Sequence, residues 1–128
     1  MSENARLHDR FVRLCQTPSP TGDERAVADM VAAELRELGL ELSEDDAAGP
    51  ARAGAGNLLA RLPGRDESWL MLAAHLDTVP HDGAIEVELA DGVYRSRGET
   101  ILGADNKAAV TVLLELAARH TSDPPAVG

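Results

Sequence analysis

Two short stretches hold the residues whose types and spacing could do chemistry. The first is His75-Leu76-Asp77-Thr78-Val79. In extended chain, side chains two apart point the same way, so His75 and Asp77 share one face and the carboxylate can steady the imidazole. A metal-binding histidine generally has such a partner, which fixes its tautomer and raises its basicity. An ordinary strand-end histidine is the plainer reading of the same residues. The second stretch is Thr100-Ile101-Leu102-Gly103-Ala104-Asp105-Asn106-Lys107. Its Gly-Ala step lets the backbone turn tightly and sets Asp105 at a helix start, where the dipole favours the anion. An Asp there also serves as an ordinary N-cap.

Positioning these residues falls to the elements around them. Residues 69–74 are a continuous apolar run bounded by polar residues, the pattern of a central strand covered on both faces. His75 then follows a strand end, where ligands bind in open α/β sheets. Residues 105–120 read as a helix apolar on nearly every side, to be covered by sheet on one face. Residues 3–16 form a first helix, with Leu7, Phe11 and Leu14 at helical spacing and Pro18 and Pro20 ending it. Thr21-Gly22-Asp23-Glu24 reads as a capping box opening a second helix. That helix buries Val27, Met30, Val31, Leu35 and Leu38 and closes at Gly39. Residues 40–43 and 57–62 are strand candidates joined by an acidic, Gly- and Ala-rich surface loop. Residues 85–89 and 93–96 flank Asp91-Gly92, a hairpin signal. This order predicts an α/β fold, with a mostly parallel or mixed sheet flanked by helices. One partial domain spans residues 1–120, followed by a Pro-rich tail at 121–128 without a fold signal.

Composition narrows the function classes. The formal net charge of −10 argues against nucleic acid and anionic membrane as partners, because both need clustered Lys and Arg. No stretch approaches the ~20 apolar residues of a membrane span, and the N-terminal residues 1–10 are polar, so a soluble, cytoplasmic protein is expected. Cys15 is the only cysteine, which excludes an internal disulfide and any CxxC site. With only Phe11, Trp69 and Tyr94 as aromatic residues, the core must be Leu, Val and Ala. His8, His81 and His120 read as structural or solvated, and Lys107 is given no role, an exposed or dipole-adjacent lysine being its plain reading.

Taken together, the two stretches resemble the N-terminal part of the co-catalytic zinc exopeptidases, which include tripeptidase T, aminoacylase, glutamate carboxypeptidase and acetylornithine deacetylase. The segment Asp-Gly-Val-Tyr-Arg-Ser-Arg-Gly-Glu-Thr-Ile-Leu-Gly-Ala-Asp-Asn-Lys, from Asp91 to Lys107, is most similar to the peptidase T-like branch. The likeness extends from about Phe11 to His120 and includes Thr17-Pro18-Ser19-Pro20-Thr21-Gly22-Asp23-Glu24. It implies that His75 binds one zinc, that Asp77 acts in catalysis by orienting His75, and that Asp105 bridges two zinc ions. A carboxylate has two oxygens and can span ions ~3.5–4 Å apart, which imidazole cannot. The resemblance also implies a cis Asp105-Asn106 peptide bond.

The rest of the family's site comprises a Glu-Glu pair supplying the general base and a ligand, another acidic ligand and a late histidine. No Glu-Glu occurs in this sequence, and the family places that pair soon after residue 128. Its dimerisation domain comes later still, so a homodimer is expected only of a complete enzyme. The leading expectation is the N-terminal fragment of a dinuclear zinc metallopeptidase acting on short peptides, unable to turn over substrate alone. Alternatives are an amidohydrolase that deacylates N-acyl amino acids and a non-catalytic truncated product.

Overall fold

The structure, a computed structural model, describes residues 2–128; Met1, at the head of the polar N-terminal stretch, lies outside the described residues. Helix α1 spans Glu3–Gln16, and the Ser2 side chain caps it by accepting from the Ala5 N–H at 3.2 Å. Helix α2 spans Arg25–Glu37 and buries Val27, Ala28, Val31, Ala32 and Leu35. Its end is a Schellman motif: Gly39 sits at φ 76°, its N–H bonds Arg36 O at 2.9 Å, and the Leu40 N–H reaches Leu35 O at 3.2 Å.

The start of α2 differs from the capping box read in the sequence. Glu24 occupies the N-cap position in helical conformation and makes no side-chain cap bond. Its carboxylate instead accepts from the Gly22 N–H at 2.6 Å and the Gly54 N–H at 2.5 Å, and the Thr21 hydroxyl goes elsewhere. Tertiary partners won over the local motif because the loop that brings Gly54 supplies a backbone donor that would otherwise lack an acceptor.

Strands β1 (Glu41–Glu44) and β2 (Leu58–Arg61) pair antiparallel, with a short helix α3 (Ala48–Ala51) in the intervening loop. Leu42, Leu58 and Ala60 pack toward the core. Strands β3 (Val87–Ala90) and β4 (Val93–Ser96) form the expected hairpin. Asp91 at φ 53° and Gly92 at φ 75° give the two positive dihedrals that a type I′ turn requires. Phe11 of α1 packs against Tyr94 of β4 in a tilted arrangement, with ring centroids 4.8 Å apart, which holds the hairpin against the first helix.

Helix α4 (Ala104–His120) turns Val110, Thr111, Leu114 and Glu115 inward. The core joins Leu14 of α1, Val27, Val31 and Leu35 of α2, and Val110 and Leu114 of α4. So α4 is covered by helices rather than by the sheet its apolar character suggested, and Val112 on its other side is exposed. The fold is α/β, with helices and short sheets. Among the described residues its ladders are antiparallel, and the parallel component is a single bridge between Pro20 and Thr78.

Residues 69–74 do not form the expected central strand. Trp69, Leu70, Met71 and Leu72 are 63, 66, 82 and 53% exposed. A strand exists only through its ladder, and among the described residues no strand pairs with this run. Backbone bonds at and just ahead of this run come instead from the tail. The Leu70 N–H bonds Gly128 O at 2.7 Å, and the N–H groups of Arg65 and Asp66 bond Pro125 O and Ala126 O at 2.8 and 2.9 Å. The tail therefore has neither helix nor strand, yet its backbone is tied to residues 65–70.

Candidate active site

The chain after Ala74 runs extended, with Ala74, Leu76 and Thr78 turned inward and His75 and Asp77 on the opposite, open face. Thr78 anchors it: its N–H bonds Ser19 O at 2.8 Å, and its carbonyl accepts from the Thr21 N–H at 3.1 Å. From the other direction, Gly103 turns the chain at φ 79°, a conformation that disfavours any side chain. The next residues, Asp105 and Asn106, depart from helical dihedrals, and the peptide bond between them is cis, as the resemblance implied. The regular helix is capped by Asn106, whose Oδ1 accepts from the Ala109 N–H at 3.3 Å. Asp105 is thereby not the N-cap, and its side chain is 94% exposed and turned toward His75.

These two segments meet. His75 Nε2 lies 3.0 Å from Asp105 Oδ1, while His75 Nδ1 lies 3.1 Å from Asp77 Oδ1 and 2.9 Å from the Asp77 carbonyl. Both ring nitrogens thus face acceptors, two at Nδ1 and one at Nε2. With the proton on Nδ1, the Nε2 lone pair and the Asp105 carboxylate face each other, an arrangement that needs a proton or a cation between them. Burial pulls the His75 pKa down, but the hydrogen bonds to the Asp77 carbonyl, Asp105 and the Asp77 carboxylate outweigh it, and the net shift is upward. The Asp77 carboxyl is held below its ordinary range, first by the Thr21 hydroxyl and then, against some burial, by His75. Thr21 donates to Asp77 Oδ2 at 2.5 Å.

The three residues line a cleft of about 240 Å³ with Thr21, Thr78 and Ile101. A larger cleft of about 410 Å³, bordered by Leu40, Arg61 and Trp69, contains none of them. The titratable chemistry lies in the smaller one, so size is not the guide here.

A metal fits the donor pair only in part. Ligands ~2.0–2.1 Å from a tetrahedral zinc are about 3.3 Å apart, close to the observed 3.0 Å between His75 Nε2 and Asp105 Oδ1. Among the described residues, no group of three His, Cys, Asp or Glu side chains is arranged to hold a metal, since Asp77 is engaged at the far side of the imidazole. Two donors of a site that normally needs three are present.

Lys107 departs from its plain reading. It is 1% exposed, and its ammonium donates to the Thr17 carbonyl at 2.6 Å, with burial holding its pKa below the ordinary lysine value. The only sequence signal was its place directly after Asp105-Asn106. Thr21 was also missed as a site residue, because its spacing to Glu24 matched a local capping motif. The remaining histidines keep to their own surroundings. His8 Nδ1 contacts the Tyr94 hydroxyl, His120 Nδ1 lies 3.0 Å from Asp123 O, and half-buried His81 does not line the cleft. Burial pushes the Cys15 thiol up to about 11, so it stays protonated and is no nucleophile.

The profile of Peptidase family M28 matches residues 57–127. Among solved structures, the chain is similar to a tripeptidase from Staphylococcus aureus subsp. aureus Mu50, at 34% identity and TM-score 0.85, covering 97% of this chain and 34% of that one. It is likewise similar to aminopeptidase PepT from Bacillus cereus ATCC 10987, at 31% identity and TM-score 0.86, with the same two coverages of 97% and 34%. A succinyl-diaminopimelate desuccinylase from Corynebacterium glutamicum is 33% identical over 102 residues, 80% of this chain and 25% of that protein. The chain thus spans about a quarter to a third of the length of the proteins it matches.

Proposed function

This chain belongs to peptidase family M28, among the co-catalytic zinc exopeptidases with peptidase T-like neighbours, and from that premise we propose that it supplies part of a dinuclear zinc site for hydrolysing short peptides. The observation that carries the reading is the approach of His75 Nε2 to Asp105 Oδ1 at 3.0 Å, with the other imidazole nitrogen held by Asp77. In this reading His75 and Asp105 are metal ligands, and Asp105 serves both ions. Asp77 orients the imidazole and keeps the proton on Nδ1, so that the Nε2 lone pair stays available. Zinc, when bound, would supply Lewis acidity toward the peptide carbonyl. Residues 1–120 form the contributing part of the catalytic domain, and the protein works in the cytoplasm, as a homodimer when the remaining family segments are present. Among the described residues no helix is long and apolar enough to cross a membrane.

The substrate reading follows the tripeptidase and PepT neighbours. A second reading, deacylation of N-acyl amino acids, is favoured by the likeness to a desuccinylase. The test is a chimera in which this chain is continued by the remaining segments of the S. aureus tripeptidase, assayed with zinc on tripeptides and on N-succinyl amino acids. Zinc-dependent tripeptide turnover that is lost in His75→Ala supports the proposal. Turnover that survives His75→Ala refutes it, and preference for the succinyl substrates moves the assignment to the second reading.

A further inference from the structure

The segment between α1 and α2, residues 17–21, touches both halves of the site. Ser19, fully buried, donates its hydroxyl to Leu76 O at 2.8 Å and accepts from the Thr78 N–H at 2.8 Å. Thr21 adds a backbone bond to Thr78 O at 3.1 Å and, through its hydroxyl, the 2.5 Å bond to Asp77 Oδ2. At the segment's other end, the Thr17 carbonyl accepts from Lys107, two residues beyond Asp105, at 2.6 Å. The parallel bridge between Pro20 and Thr78 holds this stretch alongside the segment that bears His75 and Asp77.

We propose that Thr21 is a positioning residue of this site, holding the Asp77 carboxylate so that His75 keeps its proton on Nδ1 and offers Nε2 outward. The inference rests on the metal-site reading above. A carboxylate turns readily about its terminal torsion, for which the preferences are broad. Asp77 uses one oxygen for each neighbour, Oδ2 for Thr21 and Oδ1 for His75 Nδ1 at 3.1 Å. Pinning Oδ2 therefore sets the direction of Oδ1. The Thr21 backbone is fixed by its N–H bond to Thr78 O at 3.1 Å, and its hydroxyl lies 3.4 Å from the same carbonyl, farther than the 2.5 Å to Asp77 Oδ2. Without it the carboxylate is free to turn to water, and imidazole regains its intrinsic preference for a proton on Nε2. The Asp77 carbonyl also accepts from Nδ1, at 2.9 Å, so loss of the hydroxyl weakens the tautomer without abolishing it.

The experiment compares Thr21→Val, Thr21→Ser and wild type in the full chain. It reads the His75 ring nitrogens by ¹⁵N NMR without metal, zinc affinity by calorimetry, and the thermal midpoint. Thr21→Val is expected to shift the ring resonances toward the Nε2-protonated tautomer and to weaken zinc by about tenfold, the low end for groups that orient a ligand. Thr21→Ser restores both. Unchanged ring resonances in Thr21→Val overturn the proposal, even if the thermal midpoint falls, since that pattern assigns the hydroxyl to fold stability alone. Failure of Thr21→Ser to restore the tautomer also overturns it. If wild type takes up no zinc, the metal-site reading fails, while the metal-free ring spectrum still decides the role of Thr21.

Discussion

Glu115→Gln is the perturbation whose size the structure fixes best. Glu115 Oε1 lies 2.5 Å from Arg6 and Oε2 2.6 Å from Arg10, with the Glu115 and Arg10 side chains 5 and 3% exposed. Arg10 also binds Glu34 of α2, so the cluster joins all three core helices. Arg6 above all, and Arg10 after it, hold the Glu115 carboxyl, against the cost of its burial, at about 2 instead of 4.5. By linkage, a carboxyl shifted this far contributes roughly 3 kcal/mol. Removing one partner of a buried pair costs about 3–5 kcal/mol by direct measurement elsewhere, so the two routes agree. Arg6 is 37% exposed, and screening there makes 3 kcal/mol an upper figure. The folded-state pKa is depressed, so the stabilisation is complete above about pH 4.5 and is lost as the pH falls toward 2. Urea unfolding followed by circular dichroism is expected to place Glu115→Gln about 2–3 kcal/mol below wild type at pH 7, with the gap closing near pH 2. A gap under ~1 kcal/mol at pH 7, or one that persists unchanged at pH 2, would refute the reasoning.

Gly56→Ala would place a Cβ 2.1 Å from the Asp45 carbonyl oxygen, so a loss of roughly 1–3 kcal/mol is expected by thermal melting, and an unchanged midpoint would contradict it. Gly49→Ala meets open space within α3 and is expected to raise stability by ~0.5 kcal/mol in the same assay. Met71→Glu, at the most exposed position of the apolar run, is expected to reduce self-association of the chain in sedimentation velocity. Equal association of both forms would show that this run is not the contact.

Legibility of the fold from sequence followed the range of the forces involved. Helix α1, the Gly39 terminus and the Asp91-Gly92 hairpin were readable because their determinants are local: periodicity, a left-handed glycine and a two-residue turn. The capping box failed because Glu24 and Thr21 found acceptors and donors distant in sequence, at Gly54 and Asp77. Residues 69–74 were read as buried because apolar runs usually are, but a ladder needs neighbouring strands that composition cannot supply. At the site, the pairing of His75 with Asp77 followed from the two-residue period of extended chain, whereas the approach of Asp105 was expected from its place at a helix start and from the family resemblance, the strand read ahead of His75 being absent among the described residues. Lys107 and Thr21 could not be placed, since an isolated lysine or threonine carries no sign of what it will touch. The Glu115 cluster was equally silent, being assembled from residues more than a hundred positions apart.

The central claim is that His75 and Asp105 bind zinc. Calorimetric titration of the purified chain, alone and as His75→Ala and Asp105→Asn, tests it most directly. Two donors in place of three give weak binding, above the micromolar range, which each substitution removes, with no turnover of tripeptides. Zinc affinity that is unchanged in both variants would contradict the assignment of the ligands. Submicromolar binding with turnover, lost in His75→Ala, would contradict the claim that this chain holds only part of the site.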